Sequence, residues 1–221
     1  TSGDNLRNHF LVAMPGLHDP LFANSITYIC DHSSEGAMGL VVNRAMELHL
    51  SDVFEQMSLG YKEEQGRAPI LAGGPVNTQR GFVLHPAGST WQSTIQITPE
   101  ISLTASRDII AAIAEGHGPE NALFMLGYSG WSAGQLEREI KENSWLTVPA
   151  DTDILFRTPL EQRWHAAAMR LGIDRQKFIE SLKRSGMQLE PWDLEVRLRD
   201  HAGTIRWLRV NATPEPTEDG V

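Results

Sequence analysis

Short apolar stretches separated by turn residues dominate the first hundred positions. Residues 26–30 and 39–42 are apolar and rich in β-branched side chains, and Ser33-Ser34-Glu35-Gly36 lies between them. This arrangement predicts a β-hairpin. Further strand-like stretches, interrupted by glycine and proline, occupy residues 69–72, 81–85 and 91–97. Many short strands with such breaks favour an antiparallel or mixed sheet.

Apolar residues at helical spacing mark four further segments. The predicted helices cover residues 50–59 with Ser51 as N-cap, a segment from Ser106 as N-cap to about Gly116, residues 135–143, and a segment ending at Leu171. The last begins at Thr158-Pro159-Leu160-Glu161, which combines an N-cap, a proline at the first helical position and a capping-box glutamate. Because strands and helices mix without a regular βαβ rhythm, the fold class is α+β.

Charge and composition disfavour some classes of function. The net charge is −9, and the whole excess lies in residues 1–174, which hold 11 Lys and Arg against 20 Asp and Glu. This segment would repel a phosphate backbone, so direct nucleic-acid binding is disfavoured. No apolar run approaches the length of a membrane span, residues 1–5 do not resemble a secretory signal, and Cys30 is the single cysteine. We therefore expect a cytoplasmic protein with no membrane association.

One pattern points to catalysis. Gly130-Trp131-Ser132-Ala133-Gly134 follows the apolar stretch 122–126, which is predicted to be a buried strand, and precedes a predicted helix. It matches the G-x-S-x-G nucleophile elbow of serine hydrolases. The order nucleophile, acid, histidine is met by Ser132, Asp153 and His165. In the alternative interpretation, which we favour, the glycines at 127, 130 and 134 permit a tight turn and close backbone approach where the strand enters the helix.

Other candidate chemistry is weaker. Cys30 and His32 are two apart on a predicted strand and should point to one face, but two ligands are too few for a closed zinc site. His85 and His117 are predicted to be turn residues. Gly73-Gly74-Pro75 lacks the lysine and spacing of a phosphate-binding loop. The sequence therefore predicts neither a cofactor nor a metal site.

Several phrases in this order resemble the AlgH/YqgE family of bacterial proteins. They are NHFLVAMPGLHDPLF at 8–22, SITYICDHSSEGAMGLVVNR at 25–44, GGPV at 73–76, RGFVLHP at 80–86, GYSGWSAGQLEREIKENSWL at 127–146, DILF at 153–156 and RWHAAAMRLGID at 163–174. The resemblance implies a bent mixed sheet that forms a partly open barrel-like core with flanking helices. Family members are named as transcriptional regulators, but no chemistry is attached to the fold. Serine is not general among them at the position of Ser132.

The resemblance therefore favours a non-catalytic regulatory or binding protein over residues 6–174, with an indirect effect on transcription. The serine hydrolase using Ser132 is the alternative. We expect the partner to be a protein or a small ligand. The candidate binding residues are His32 and Glu35 at the hairpin turn, with Tyr128, Trp131 and Gln135 at a cleft near the glycine-rich phrase.

Residues 175–221 form a C-terminal extension that the family pattern does not include. A helix is predicted from Asp174 to about Ser185, followed by a hairpin of residues 192–199 and 204–210, with alternating apolar and charged positions in its first strand. The end of this extension resembles the late hairpin of a PAS domain, but it is too short for a working sensor. Because an isolated hairpin is marginal in water, we expect it to dock on residues 6–174 or on a second copy of the chain.

Overall fold

A computed structural model describes residues 5–14, 17 and 19–171, and the backbone of two strands at 192–199 and 205–212. The strands are His9–Ala13 (β1), Ile26–Ser33 (β2), Gly36–Val41 (β3), Ala45–His49 (β4), Pro69–Ala72 (β5), Val76–Pro86 (β6), Thr94–Gln96 (β7), Ile101–Thr104 (β8), Leu123–Ser132 (β9), Trp145–Pro149 (β10), Trp192–Arg199 (β11) and Ile205–Ala212 (β12). The helices are Leu50–Gln56 (α1), Glu63–Gly66 (α2), Asp108–Ala114 (α3), Gln135–Lys141 (α4), Thr152–Phe156 (α5) and Leu160–Arg170 (α6). No described helix is both long enough and apolar enough to cross a membrane.

The first ten strands form one curled sheet around β9. Its main path is β10-β1-β2-β3-β9-β6-β8-β7, with β5 on β9 and β4 on β5. One edge of β9 pairs with β6, and the other pairs first with β5, in parallel, and then with β3. Near the two ends of this path, the Arg7 guanidinium donates to the carbonyl of Gln96 in β7 at 3.0 Å. The expected α+β fold with a bent, partly open sheet is confirmed.

The concave side of the sheet holds the inner core. Large, fully buried side chains from distant strands meet there, including Phe10, Tyr28, Leu40 and Leu84. Helices α5 and α6 pack against the same cluster through Ile154, Leu155, Ala167 and others. The buried Arg163 side chain also fixes α6, because it donates to the carbonyls of Thr158 and Val42. Burial lowers the pKa of Arg163 to about 10.

Two separate clusters cover the convex side. Helices α1 and α3 pack Phe54 and Ile109 against Ile70 and Phe124 of β5 and β9. Helix α4 packs Leu136 against a second patch of the sheet, formed by Leu11, Ile29, Trp131 and Trp145. A sheet buried on both faces needs apolar residues at successive positions, which explains why β2 begins with five buried residues in a row.

The four predicted helices are present as α1, α3, α4 and α6, whereas α2 and α5 were not predicted, and three capping assignments are wrong. The N-cap of α1 is His49, whose N–H donates to Asp52, and Ser51 is inside the helix. Arg107 caps α3, while the Ser106 hydroxyl donates to the first-turn carboxylate of Asp108. Pro159 occupies the N-cap position of α6, and the Thr158 hydroxyl instead donates to the carbonyl of Asp153. The residue types locate each helix start to within one or two residues. In α3 and α6 the N-cap residue makes no side-chain cap hydrogen bond, so residue type alone does not identify the cap.

The C-terminal strands β11 and β12 pair antiparallel, as the predicted hairpin requires. Their register sets Leu194 opposite Val210 and Val196 opposite Leu208, so apolar positions of both strands face each other across the ladder. The predicted helix of residues 174–185 lies outside the described residues. The resemblance to a PAS domain is not confirmed.

Candidate functional site

The corner between β9 and α4 carries the serine of the elbow pattern. Strand β9 does not end at Leu126, as its apolar run suggested, but continues to Ser132, which pairs with Gly36 of β3. The left-handed turn falls on Gly134, with φ of 72°. In a nucleophile elbow the serine itself occupies the sharp turn. Here Ser132 is the last residue of an extended strand, and the glycine takes the unusual conformation.

The contacts of Ser132 lead to an amide. Its hydroxyl donates to Gln135 Oε1 at 3.2 Å, and its N–H donates to the same oxygen at 3.0 Å. Asp153, in α5, forms an ion pair with Arg157 at 3.0 Å, and His165 lies in α6. Among the described contacts, none links Ser132, Asp153 and His165 into a hydrogen-bonded triad.

A carboxylate that the sequence did not single out organises this corner. Glu139 Oε2 accepts the indole N–H of Trp131 at 2.8 Å and that of Trp145 at 2.9 Å. Glu139 Oε1 accepts the amide of Gln135 at 2.8 Å, so the chain of contacts continues to Ser132. The two indoles also pack edge to face, with centroids 6.2 Å apart. Glu139 therefore joins α4 to β9 and β10. Glu139 lies one helical turn after Gln135, and this spacing could have predicted their contact from the sequence. Its contact with Trp145 depends on the tertiary structure.

His32 links strand β2 to helix α4 and to the segment that precedes β1. Its Nδ1 accepts the backbone N–H of Leu6 at 2.9 Å, so the other ring nitrogen, Nε2, carries the proton and donates to Glu137 of α4 at 2.9 Å. The hydrogen bond from its own backbone N–H, and then the one from His32, hold the pKa of Glu137 below its usual range. His32 is thus a buried, positioned residue beside α4.

The prediction that Cys30 and His32 share a face is wrong. A β-bulge between Ile29 and Asp31 leaves Cys30 without a Cα partner on β3, which shifts the alternation by one residue. Cys30 therefore packs in the inner core, whereas His32 is opposite Ala37, a residue of the α4 cluster. Burial raises the pKa of the Cys30 thiol, which makes it a poor nucleophile.

The remaining candidate residues are separate from this corner. Tyr128 packs toward the inner core, with its ring 6.0 Å from that of Phe82, whereas Trp131 packs on the convex side against α4. They are three positions apart on one strand, and an odd offset places their side chains on opposite faces, so they do not line one cleft. Glu35 is exposed in the turn between β2 and β3. The structure therefore groups Trp131 and Gln135 through Glu139, and His32 beside them through Glu137.

His85 is not a turn residue. It is fully buried near the end of β6, where Nδ1 donates to the Pro86 carbonyl at 2.9 Å. Nε2 then accepts from the Thr104 hydroxyl at 2.8 Å, and Thr104 in turn contacts Thr94 at 2.8 Å. One neutral tautomer satisfies every polar atom of the ring. Burial lowers the pKa of His85.

The fold and this site define a class of small half-barrel proteins. In this class the central strand, β9, leads through a short turn into a helix, α4, that covers the sheet. The AlgH-like family model matches residues 10–176. The chain belongs to this AlgH-like family.

The relatives agree with this assignment. The chain is 61% identical over 170 residues to a UPF0301 protein of Saccharophagus degradans, covering 77% of this chain and 84% of the relative. It is 51% identical over 174 residues to a UPF0301 protein of Thioalkalivibrio sulfidiphilus, covering 79% and 94%.

Two solved structures share the fold. The solution structure of the AlgH protein from Pseudomonas aeruginosa is similar with a TM-score of 0.69 at 48% identity, over 81% of this chain and 95% of that one. A crystal structure of a protein from Corynebacterium diphtheriae matches with a TM-score of 0.61 at 18% identity, over 77% and 89%. The second match extends to the fold alone.

Proposed function

We propose that this AlgH-like chain is a non-catalytic binding protein with a regulatory role. The observation that carries the proposal is the pair of hydrogen bonds from Ser132 to Gln135 Oε1. A nucleophilic serine needs a neighbouring base that can take its proton, and a carboxamide oxygen cannot do so at neutral pH. Gln135 is itself held by Glu139, which keeps this geometry in place.

The proposed binding surface, which we name the α4 site, consists of the turn at Glu35, the imidazole of His32, Trp131 near the end of β9 and Gln135 at the start of α4. Hydrogen bonds to Glu137 and Glu139 fix the last three side chains before any partner arrives. Such preorganisation lowers the entropic cost of association. The partner is a protein or a small ligand. Tyr128 belongs to the opposite face of β9 and is a separate candidate.

The proposed effect on transcription is indirect. The excess of acidic residues in 1–174 opposes binding to a phosphate backbone. Fluorescence anisotropy with a labelled DNA duplex at low and physiological salt tests this part. Tight binding that weakens steeply with salt would contradict it. We also place the protein in the cytoplasm, where its single thiol, buried at Cys30, would stay reduced.

The hydrolase alternative is tested by turnover of p-nitrophenyl butyrate. We expect no hydrolysis above that of the buffer, and no difference between the full chain and Ser132→Ala. Ser129→Ala is a suitable control, because this neighbouring serine donates to a backbone carbonyl inside the fold. Activity that is lost in Ser132→Ala and kept in Ser129→Ala would establish the hydrolase.

The α4 site is tested by site-specific photo-crosslinking. A photoreactive amino acid replaces Glu35 in the exposed turn of the full chain, and Glu100, in an exposed turn elsewhere, provides the matched control. A discrete adduct formed in cells from position 35 and not from position 100 supports the proposal. Adducts of equal yield and pattern from both positions contradict it.

A further inference from the structure

Strand β6 contains a four-residue polar bulge, Asn77-Thr78-Gln79-Arg80. Val76 pairs with Tyr128 and Gly81 pairs with Leu126, so these four residues stand opposite the single residue Gly127. All four are exposed, in contrast to the buried stretch of β6 that follows from Phe82. Because a strand needs only one residue at this place, the other residues of the bulge contribute little to sheet pairing.

The base of the polar bulge is built from backbone in close contact. A Cβ on Gly127, whose φ is 73°, would lie 2.4 Å from the Gly74 carbonyl oxygen and 3.3 Å from the Thr78 Cα. A Cβ on Gly73 would lie 2.3 Å from the Gly127 carbonyl oxygen. The Gly73 carbonyl accepts hydrogen bonds from the Val41 N–H and the Ser129 hydroxyl. The bulge therefore projects from a rigid crossing of β9 with the segment before β6.

The exposed side of the bulge is rich in hydrogen-bond donors and contains one positive charge. A shallow depression of about 580 Å³ is lined by Pro75 and the four residues of the bulge. This lining contains no carboxylate, and Arg80 takes part in none of the ion pairs found among the described residues. The Arg80 guanidinium carbon lies 5.4 Å from the centre of the Phe82 ring, which orients it while leaving its N–H groups available.

We infer that the polar bulge is a second interaction surface, and that its partner is an acidic segment of another protein. Every residue of the lining is exposed, so a small molecule there would keep most of its surface in water, unlike the ligands of enclosed pockets. A polypeptide segment can contact the whole bulge. Carboxylates match the guanidinium of Arg80 and the amides of Asn77 and Gln79. The chain as a whole has a net charge of −9 and repels anions. The unpaired Arg80 gives the polar bulge a local preference for anionic groups.

This inference does not depend on the α4 site, and its test uses a different readout. The probe is a synthetic ten-residue peptide of alternating Glu and Ser, added to the ¹⁵N-labelled full chain and followed by amide chemical shifts. We expect saturable shifts centred on residues 76–81. The matched peptide with Gln in place of Glu should bind at least about fivefold more weakly, because it lacks the carboxylates.

Two variants assign the effect to the bulge. Arg80→Gln should weaken binding of the acidic peptide by roughly fivefold or more, as expected for a central arginine of an interface. Arg138→Gln removes the same charge from the exposed face of α4 and should leave the affinity unchanged. Shifts that are absent, that spread over the molecule, or that weaken equally in both variants would overturn the inference. Both substitutions are at exposed positions, so folding is retained.

Discussion

At the scale of single residues, His85 shows how burial determines the behaviour of a titratable group. The neutral ring is fully buried and satisfied on both nitrogens. Burial lowers the pKa of His85, so its imidazole takes up a proton less readily in the folded protein than in the unfolded chain, where a histidine has a pKa of about 6.5. The contribution of His85 to stability is therefore present above that pH. It is lost as the pH falls toward the lower pKa of the folded state.

We predict that the free energy of unfolding falls between pH 7.5 and 5.5, and that the decrease is smaller in His85→Gln. The variant should also be less stable at pH 7.5 by about 1–3 kcal/mol, because it disturbs buried hydrogen bonds. Urea denaturation at several pH values measures both effects. His117→Gln, at an exposed position, should keep the dependence of the natural sequence. An unchanged pH dependence in His85→Gln would show that His85 is not responsible.

At the scale of elements, two glycines with nearly the same φ lie in different surroundings, Gly127 inside β9 and Gly134 two residues beyond its end. Gly127 has φ of 73° and a Cβ there would meet the Gly74 carbonyl, whereas Gly134 has φ of 72° and open space. Gly134→Ala should therefore cost only the left-handed conformation, about 1–2 kcal/mol. Gly127→Ala should cost more than about 3 kcal/mol or prevent folding, because backbone must also move. Equal losses in thermal or urea unfolding would contradict the proposed crowding at Gly127.

The attachment of α4 to the sheet depends on Glu139. Glu139→Ala leaves the indole N–H groups of Trp131 and Trp145 without their acceptor and should destabilise the fold by about 2–4 kcal/mol. Glu139→Gln keeps one acceptor oxygen and should lose less. Denaturation followed by tryptophan fluorescence reports both stability and indole environment. Glu142→Ala, an exposed position at the end of α4, should change stability by less than about 0.5 kcal/mol. Similar losses in both alanine variants would exclude the proposed role of Glu139.

At the scale of the whole molecule, we expect the C-terminal hairpin to need a partner for its stability. Two strands alone are marginal in water, and the register of β11 and β12 pairs apolar positions with each other. We propose that this hairpin docks on residues 6–174 or on a second copy of the chain, as a homo-oligomer. Deleting residues 187–221 should therefore lower the melting temperature or the oligomeric mass, measured as the number of chains per particle.

Analytical ultracentrifugation and thermal unfolding distinguish these two cases. A control deletion of residues 213–221, which keeps both strands, should leave the number of chains per particle and the melting temperature unchanged. Amide exchange in 192–210 as fast as in a random coil, with no effect of the longer deletion, would exclude docking.

Local signals in the sequence determined the kinds of element and their order. The β2–β3 hairpin, the start of α4 after Gly134 and the α+β class follow from turn residues, caps and apolar spacing, which act over a few positions. The family phrases implied the bent sheet, and the structure confirms it. The predicted need for glycine is confirmed at 127 and 134, which have positive φ, because such a requirement is a property of one residue. It is not confirmed at Gly130, where a Cβ would make only an ordinary contact.

Only the tertiary structure decided which side chains meet. The bulge at Cys30 turned His32 toward α4, and the pairing of β9 with β3 extended that strand to Ser132, so the elbow geometry was lost. Glu139 gained its role from Trp145 in β10, which three strands separate from β9 in the sheet, and Tyr128 and Trp131 lie on opposite faces of β9. Alternation along a strand predicts its faces only while the register is regular. Bulges and strand partners depend on contacts between residues far apart in the chain, and no local pattern contains them.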